Sequence, residues 1–185
     1  MSDELLVVRA QLGDRSALEE LVARWQTPVW TYVRRMLDAQ RADDVAQDAW
    51  LAIVRALPRL REPERFAPWL FTIVRRAVAN HLRDRYASRT HQTVRDLDDL
   101  DPSDTLSDTA LHDPIGGLLD RAEAVAHLAD LPVPEREVLV LHYLEDLSVA
   151  DCARVCDVSV GTVKSRLHRA RRLLRERLEE KGMEA

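Results

Sequence analysis

Glycine is scarce here, with five in 185 residues, and only two cysteines are present. No run of about 20 apolar residues occurs, so no membrane-crossing helix is expected. The start, Met1-Ser2-Asp3-Glu4, lacks the basic stretch that opens a signal peptide, which points to a cytoplasmic protein. Cys152 and Cys156 stand one helical turn apart in an apolar pattern, with no second cysteine pair to complete a structural zinc site. Core packing is therefore expected of both thiols. The histidines are scattered, and no nucleophile-base-acid set, phosphate-cradling glycine loop or metal spacing is visible. No catalytic residue, metal or cofactor is expected.

What is abundant is charge, and its distribution says more than its sum. The net charge is -5, which argues against a protein that coats DNA without specificity. Yet basic residues cluster from Arg55 to Arg85 and again from Lys164 to Arg177. Between Asp96 and Asp113 lie seven aspartates and no Lys or Arg. Arg, Ala, Leu, Asp and Glu dominate, a composition that favours helices.

Periodicity organises the chain. Apolar residues spaced by three or four predict helices at about Glu4–Ala10, Ser16–Leu37, Ala42–Leu57 and Pro68–Tyr86. Pro28 is expected to kink the second, and Pro58 to stop the third. Trp25, Trp30, Trp50 and Trp69 read as core residues. Periodicity fades over 87–117, where Asp, Ser, Thr, Pro and Gly take over, so this stretch reads as a flexible acidic linker. Helices are predicted again at about Leu118–Leu131, Glu135–Leu144, Val149–Cys156 and Val160–Glu180. The expected architecture is all-α, with two small helical domains, 1–86 and 118–185, joined by the linker 87–117.

The segment Ser148 to Arg172 has the spacing of a helix-turn-helix. Ser148 caps the short helix, and Asp151 is placed to return a bond to the cap amide. Asp157 occupies the turn, where a left-handed residue is often needed and Asp is tolerated. Ala150, Ala153, Val158, Val163 and Leu167 would pack the two helices together. Ser159 caps the last helix. On a helical wheel, Val163, Leu167, Ala170, Leu174 and Leu178 form one narrow stripe, while Lys164, Arg166, His168, Arg169, Arg171, Arg172 and Arg175 cover the rest. No acid appears between Val160 and Arg175. Unbalanced cations repel unless an anion is present, and duplex phosphate is the natural partner. Ser159, Lys164, Ser165, Arg166, His168, Arg169 and Arg172 are the candidate DNA contacts, with the amino end of this helix in the major groove.

At these residues the sequence resembles a known family. Val160-Gly161-Thr162-Val163-Lys164-Ser165-Arg166-Leu167-His168-Arg169-Ala170-Arg171, with Leu147-Ser148-Val149-Ala150-Asp151 and Glu135-Arg136-Glu137-Val138-Leu139 before it, looks like region 4 of an extracytoplasmic-function (ECF) sigma factor, group IV of the sigma-70 family. Ala17-Leu18-Glu19-Glu20-Leu21-Val22 resembles the start of region 2. Asp43-Asp44-Val45-Ala46-Gln47-Asp48-Ala49-Trp50 resembles its polymerase-binding helix. Phe66-Ala67-Pro68-Trp69-Leu70-Phe71-Thr72-Ile73-Val74-Arg75 resembles the segment behind promoter melting. The resemblance covers nearly the whole chain outside the linker.

What it implies is a factor that binds core RNA polymerase through the β′ clamp helices and the β flap and directs it to promoter DNA. In the third helix Val45, Ala49, Ala52, Ile53 and Ala56 make an apolar face, opposite a stripe of Asp44, Gln47, Asp48, Leu51 and Arg55. By resemblance, Asp44, Gln47, Asp48 and Leu51 dock on polymerase. Arg59, Arg61, Arg65 and Phe66 belong to a loop that takes a base flipped from the -10 strand, and Arg75, Arg76, Asn80 and Arg83 line the strand behind it. Extruding a base costs a few kcal/mol, which phosphate contacts and a pocket must offset. The -35 element would be read as duplex by the last helix. The resemblance also allows an anti-sigma partner, and gives the acidic linker a path through the polymerase cleft. Three other readings are a conventional helix-turn-helix regulator that binds operators without polymerase docking, a helical adaptor or sequestering module that binds no DNA, and an enzyme. The region 2 resemblance opposes the first, and the uninterrupted cationic helix opposes the second.

Overall fold

The computed structural model describes residues 1–37, 39–89 and 127–182, and every regular element among them is helical. Helices α1 (Asp3–Gln11), α2 (Arg15–Met36), α3 (Ala39–Ala56) and α4 (Phe66–Arg89) form the first group. Helices α5 (Val133–Leu139), α6 (Val149–Cys156) and α7 (Val160–Gly182) form the second. Of the expected linker and of the helix expected from Leu118, positions 90–126 lie outside the described residues. Helix α4 itself continues to Arg89, past the expected boundary at 86.

Local chemistry sets the helix ends. Gly13 supplies a φ of 92° in the turn after α1, a conformation that costs a residue without Cβ little. The Asp14 side chain then caps α2, accepting from the Ser16 and Ala17 amides at 3.0 and 3.2 Å. Arg9, at the end of α1, grips the same carboxylate at 2.6 Å, so one residue fixes both helices. Helix α2 runs through Pro28 as one element of 22 residues. Helix α4 starts at Phe66, two residues before the expected Pro68, because the short turn Pro63–Arg65 feeds directly into it. Helix α5 starts at Val133 with Pro at its first turn, where a missing N–H costs nothing. Its continuation, expected to be α-helical to Leu144, widens into a π-turn at Val140–Leu144. The Glu145 amide there reaches the Val140 carbonyl at 3.1 Å.

The core of the first group is aromatic at its centre. Trp25 meets Phe66 and Phe71 edge-on at centroid distances of 5.7 and 6.1 Å, and Tyr32 meets Phe71 at 5.5 Å. Trp30 departs from the expected core role. It is 44% exposed, donates to Asp43 at 2.6 Å and lies under the Arg34 guanidinium. One helical position separates it from the buried Val29, which faces the core instead.

Buried apolar side chains continue from the first group into the second as one cluster. Helix α4 packs on α6, and α2 touches α5. At that seam the Tyr32 hydroxyl donates to the Glu137 carboxylate at 3.0 Å, and Arg75 donates to the same oxygen at 2.9 Å.

Candidate nucleic-acid and polymerase interfaces

Helices α6 and α7 form the expected helix-turn-helix. Ser148 accepts from the Asp151 amide at 3.0 Å, which caps α6. The Asp151 carboxylate takes the Ser148 hydroxyl and Arg154, rather than returning to the cap amide. Asp157 sits in the left-handed region at φ 56°, ψ 48°, and turns the chain between the helices. Ser159 caps α7 by accepting from the Thr162 amide at 3.0 Å. Cys152, Ala153, Val155 and Cys156 of α6 and Val163, Leu167, Ala170 and Leu174 of α7 are all buried, and the two helices pack on each other. Ala150 departs from the expected packing set, because it points to solvent while its neighbours at Cys152 and Ala153 face inward. Burial pushes the Cys152 thiol up to about 12 and Cys156 higher still, so both stay protonated and inert.

The cationic face of α7 is not uniform. His168, Arg169 and Arg172 are exposed, and Lys164, Ser165 and Arg171 are partly exposed. Arg166 is only 6% exposed, and its Nε finds no hydrogen-bond acceptor. The Ser165 hydroxyl donates back to the Thr162 carbonyl at 3.0 Å. The helix is also less free of counter-charge than its own residues suggest. Arg169 pairs at 3.4 Å with Glu135 of α5, a carboxylate almost wholly buried. Arg172 stands 3.8 Å from Glu176 of its own helix.

The α3–α4 connection carries the second basic surface. Two short turns, Leu57–Arg59 and Pro63–Arg65, fold it against α1. The Gln11 side-chain amide pins it by donating to the Leu57 and Leu60 carbonyls at 2.9 and 2.8 Å. Arg59, Arg61 and Arg65 are exposed, and Arg65 pairs with Glu62 at 2.8 Å. Phe66 is buried among Trp25 and Trp69 and braces the loop from beneath. A pocket of about 260 Å³ lies beside the loop, walled by Leu60, Arg61, Arg65, Trp69 and Thr72, and by Arg154 of α6. Along α4, Arg76, Asn80 and Arg83 are exposed, and Arg83 hydrogen-bonds Asn80. Arg75 is half-buried at the seam. Burial alone would lower it, but the adjacent Glu137 carboxylate raises it instead.

On α3, Asp44, Gln47, Asp48 and Leu51 are all exposed, as the wheel requires. Ala42, Val45, Ala46, Ala49 and Ile53 face the core, while Ala52 is exposed. Leu51 is 49% exposed, one turn from Asp48, and Val54 is 40% exposed beyond it, so two large apolar side chains stand on an open face. A cleft of about 480 Å³ between α3 and α4 is lined by Asp48 on one side and Arg76, Asn80 and His81 on the other. The polymerase-facing Asp48 and the strand-facing Arg76 and Asn80 thus line opposite sides of one cleft.

No motif brought forward Gln11, Tyr32 or Arg154, and Glu135 and Glu137 stood in a region 4 stretch without a role of their own. Glu137 carried a signal: it lies three and four residues before Val140 and Leu141, on the apolar side of its helix. A carboxylate on such a face needs a partner from elsewhere.

Comparison with known proteins gives the same two blocks. Residues 21–88 match the family model for Sigma-70 region 2, and residues 123–174 match that for Sigma-70, region 4. An ECF RNA polymerase sigma factor of Mycobacterium tuberculosis is 36% identical over 167 residues, spanning 90% of this chain and 85% of that one. Among solved structures, CnrH in complex with the cytosolic domain of CnrY superposes with a TM-score of 0.67 at 28% identity, covering 96% of this chain and 97% of CnrH. The sigma factor RpoE in complex with the anti-sigma factor NepR, from Bartonella quintana, shares the fold with a TM-score of 0.66 at 22% identity, over 88% of this chain and 96% of that one.

Proposed function

The chain belongs to the ECF sigma factors of the sigma-70 family, which bind core RNA polymerase and direct promoter-specific initiation, and from that premise we propose how its surfaces divide the work. It is an initiation factor and not an enzyme, so its mechanism is differential binding: contacts made only to the melted promoter favour the open complex. Residues 1–86 form the unit that grips polymerase and parts the -10 strands. Asp44, Gln47, Asp48 and Leu51 dock on the β′ clamp helices. Arg59, Arg61 and Arg65 hold the phosphates around a flipped -10 base, with the pocket beside Trp69 to receive it. Phe66 supports the loop from the core, and Arg75, Arg76, Asn80 and Arg83 track the strand along α4.

Residues 118–185 read the -35 element as duplex and meet the β flap. Lys164, His168, Arg169 and Arg172 face the groove. Ser159 and Ser165 contribute through the helix end they stabilise, and Arg166 joins the contact when its covering is displaced. The factor works in the cytoplasm, where polymerase and promoter are found. An anti-sigma partner is part of this reading, by likeness to the Bartonella quintana complex.

The observation that carries the reading is the exposure of Leu51 beside the carboxylates of α3, with Val54 exposed one turn on. A buried Leu is worth about 2 kcal/mol, and here that burial awaits a partner. Run-off transcription with core polymerase and a promoter library selected by this factor tests it. Substitution of Arg61 and Arg65 by Ala is expected to block strand opening while duplex binding persists. Substitution of Lys164 and Arg169 by Ala is expected to abolish -35 recognition. Identical defects from both pairs would remove the division of labour.

A further inference from the structure

Away from the surfaces described above, three arginines gather around one cavity. Arg34 and Arg35 stand at the end of α2, and Arg136 joins them from α5, lining a space of about 540 Å³. Small-ligand sites typically measure about 300–1,000 Å³. Leu82 of α4 and Leu128 of the short turn His127–Asp130 add apolar wall, and Trp30 adds an aromatic one. None of the three arginines belongs to the polymerase or promoter contacts assigned above.

Their charge is poorly compensated. Among the described residues, no carboxylate forms an ion pair with any of the three. Arg34 lies over the Trp30 ring, 5.4 Å from its centroid, a contact that orients a guanidinium without neutralising it. Arg136 is half-buried. Its Nε is shut from solvent with no acceptor, and its Nη1 reaches the Ala129 carbonyl only at 3.4 Å. Burial lowers Arg136 from the ordinary arginine value with nothing to offset it, and lowers Arg35 with Glu145 alone opposing. A buried donor without an acceptor costs stability, so its presence in a folded chain calls for a partner.

We propose that this cavity binds a nucleoside polyphosphate, with Arg34, Arg35 and Arg136 on the phosphates and Trp30, Leu82 and Leu128 walling the nucleoside. A guanidinium fork matches phosphate oxygens two at a time, and three forks suit a ligand with more than one anionic group. Inorganic phosphate alone would leave the apolar wall wet. A purely apolar ligand would leave the cations unanswered. A compact polyanion joined to a flat, weakly polar ring system uses both kinds of wall. It also gives the exposed Trp30 a task that the core does not. Because α2, α4 and α5 all contribute, occupancy stabilises the folded chain.

The test uses the full chain with ATP as the probe, in magnesium-free buffer of fixed ionic strength. Isothermal calorimetry gives the affinity, and thermal melting gives the stabilisation that occupancy brings. Inorganic tripolyphosphate and adenosine are titrated as the two halves of the ligand. Arg34→Ala removes an exposed cation, and Arg136→Met removes the half-buried one at similar side-chain length. Arg15→Ala, at the opposite end of α2, removes a cation away from the cavity. Circular dichroism confirms folding, and Arg34→Ala decides alone if Arg136→Met folds poorly. ATP is expected to raise the melting temperature and to bind about tenfold or more tighter than either half. Each cavity variant should weaken ATP binding about tenfold, the loss of a charged hydrogen bond, while Arg15→Ala leaves it unchanged. Absence of saturable ATP binding to the wild-type chain overturns the proposal. Undiminished affinity in the folded cavity variants, or an equal loss in Arg15→Ala, places the nucleotide elsewhere and overturns it too. Tripolyphosphate binding as tight as ATP overturns the choice of a nucleoside ligand.

Discussion

The side-chain amide of Gln11 donates to the backbone carbonyl of Leu60 at 2.8 Å, across 49 residues of sequence, and to Leu57 at 2.9 Å. The end of α1 thereby holds both halves of the loop that carries Arg59, Arg61 and Arg65. Gln11→Leu takes the side-chain donor from the Leu60 carbonyl and one of two donors from the Leu57 carbonyl, which keeps the Leu60 amide, at a cost of about 1–3 kcal/mol. Thermal unfolding should show that loss. Permanganate footprinting of open complexes should show weaker -10 melting, while gel-shift binding of -35 duplex stays as it was.

A pH effect follows from Glu145. Burial raises its carboxyl to about 7, and the nearby Arg35 only partly offsets this. A carboxyl raised on folding stabilises the fold fully below its unfolded value near 4.5, and loses that contribution as pH rises through 7. Glu145→Gln is always neutral, so it should gain on the order of 1 kcal/mol over wild type above pH 7 and nothing near pH 4. Melting temperatures across pH 4 to 8 check this; parallel curves for the two proteins contradict it.

Much of the fold was legible because short-range rules govern it. Seven of the eight expected helices correspond to α1–α7, and the eighth, 118–131, falls largely outside the described residues. The Ser148 and Ser159 caps and the Asp157 turn follow from chemistry within four residues. The Sigma-70 region 2 and region 4 motifs identified the family for the same reason. What escaped is what distant residues decide. Trp30 has the composition of a core residue, but packing chose Val29 beside it. The π-turn at Val140–Leu144 arises where α5 gives way to the turn before α6, and spacing alone does not distinguish it from α-helix. The buried state of Arg166, the pairing of Arg169 with Glu135 and the seam at Glu137 all depend on which helix lies opposite.

Exposed Leu51 offers a clean separation of folding from docking. Leu51→Glu adds a charge to a face that already meets solvent, so the melting temperature should barely move. Affinity for core polymerase, measured without DNA, should fall tenfold or more if this side chain is buried at the contact. A variant that binds polymerase as wild type does would take Leu51 out of the interface.

Asp157 tests the recognition turn. At φ 56°, Asp157→Gly relieves a left-handed strain and should be neutral or slightly stabilising. Asp157→Val meets the full steric cost, about 1–2 kcal/mol, and should tilt α7. The comparison to make is -35 duplex affinity alongside thermal stability, with Val lowering both and Gly neither.

The most direct trial of the two-surface account is run-off transcription on matched promoters that are either fully paired or carry a pre-opened -10 bubble. Arg61→Ala/Arg65→Ala should fail on the paired template and recover on the bubble, because the template supplies the step those arginines perform. Lys164→Ala/Arg169→Ala should fail on both, because an open -10 does nothing for a -35 element left unread. Recovery of the second pair on the bubble, or no recovery of the first, contradicts the account.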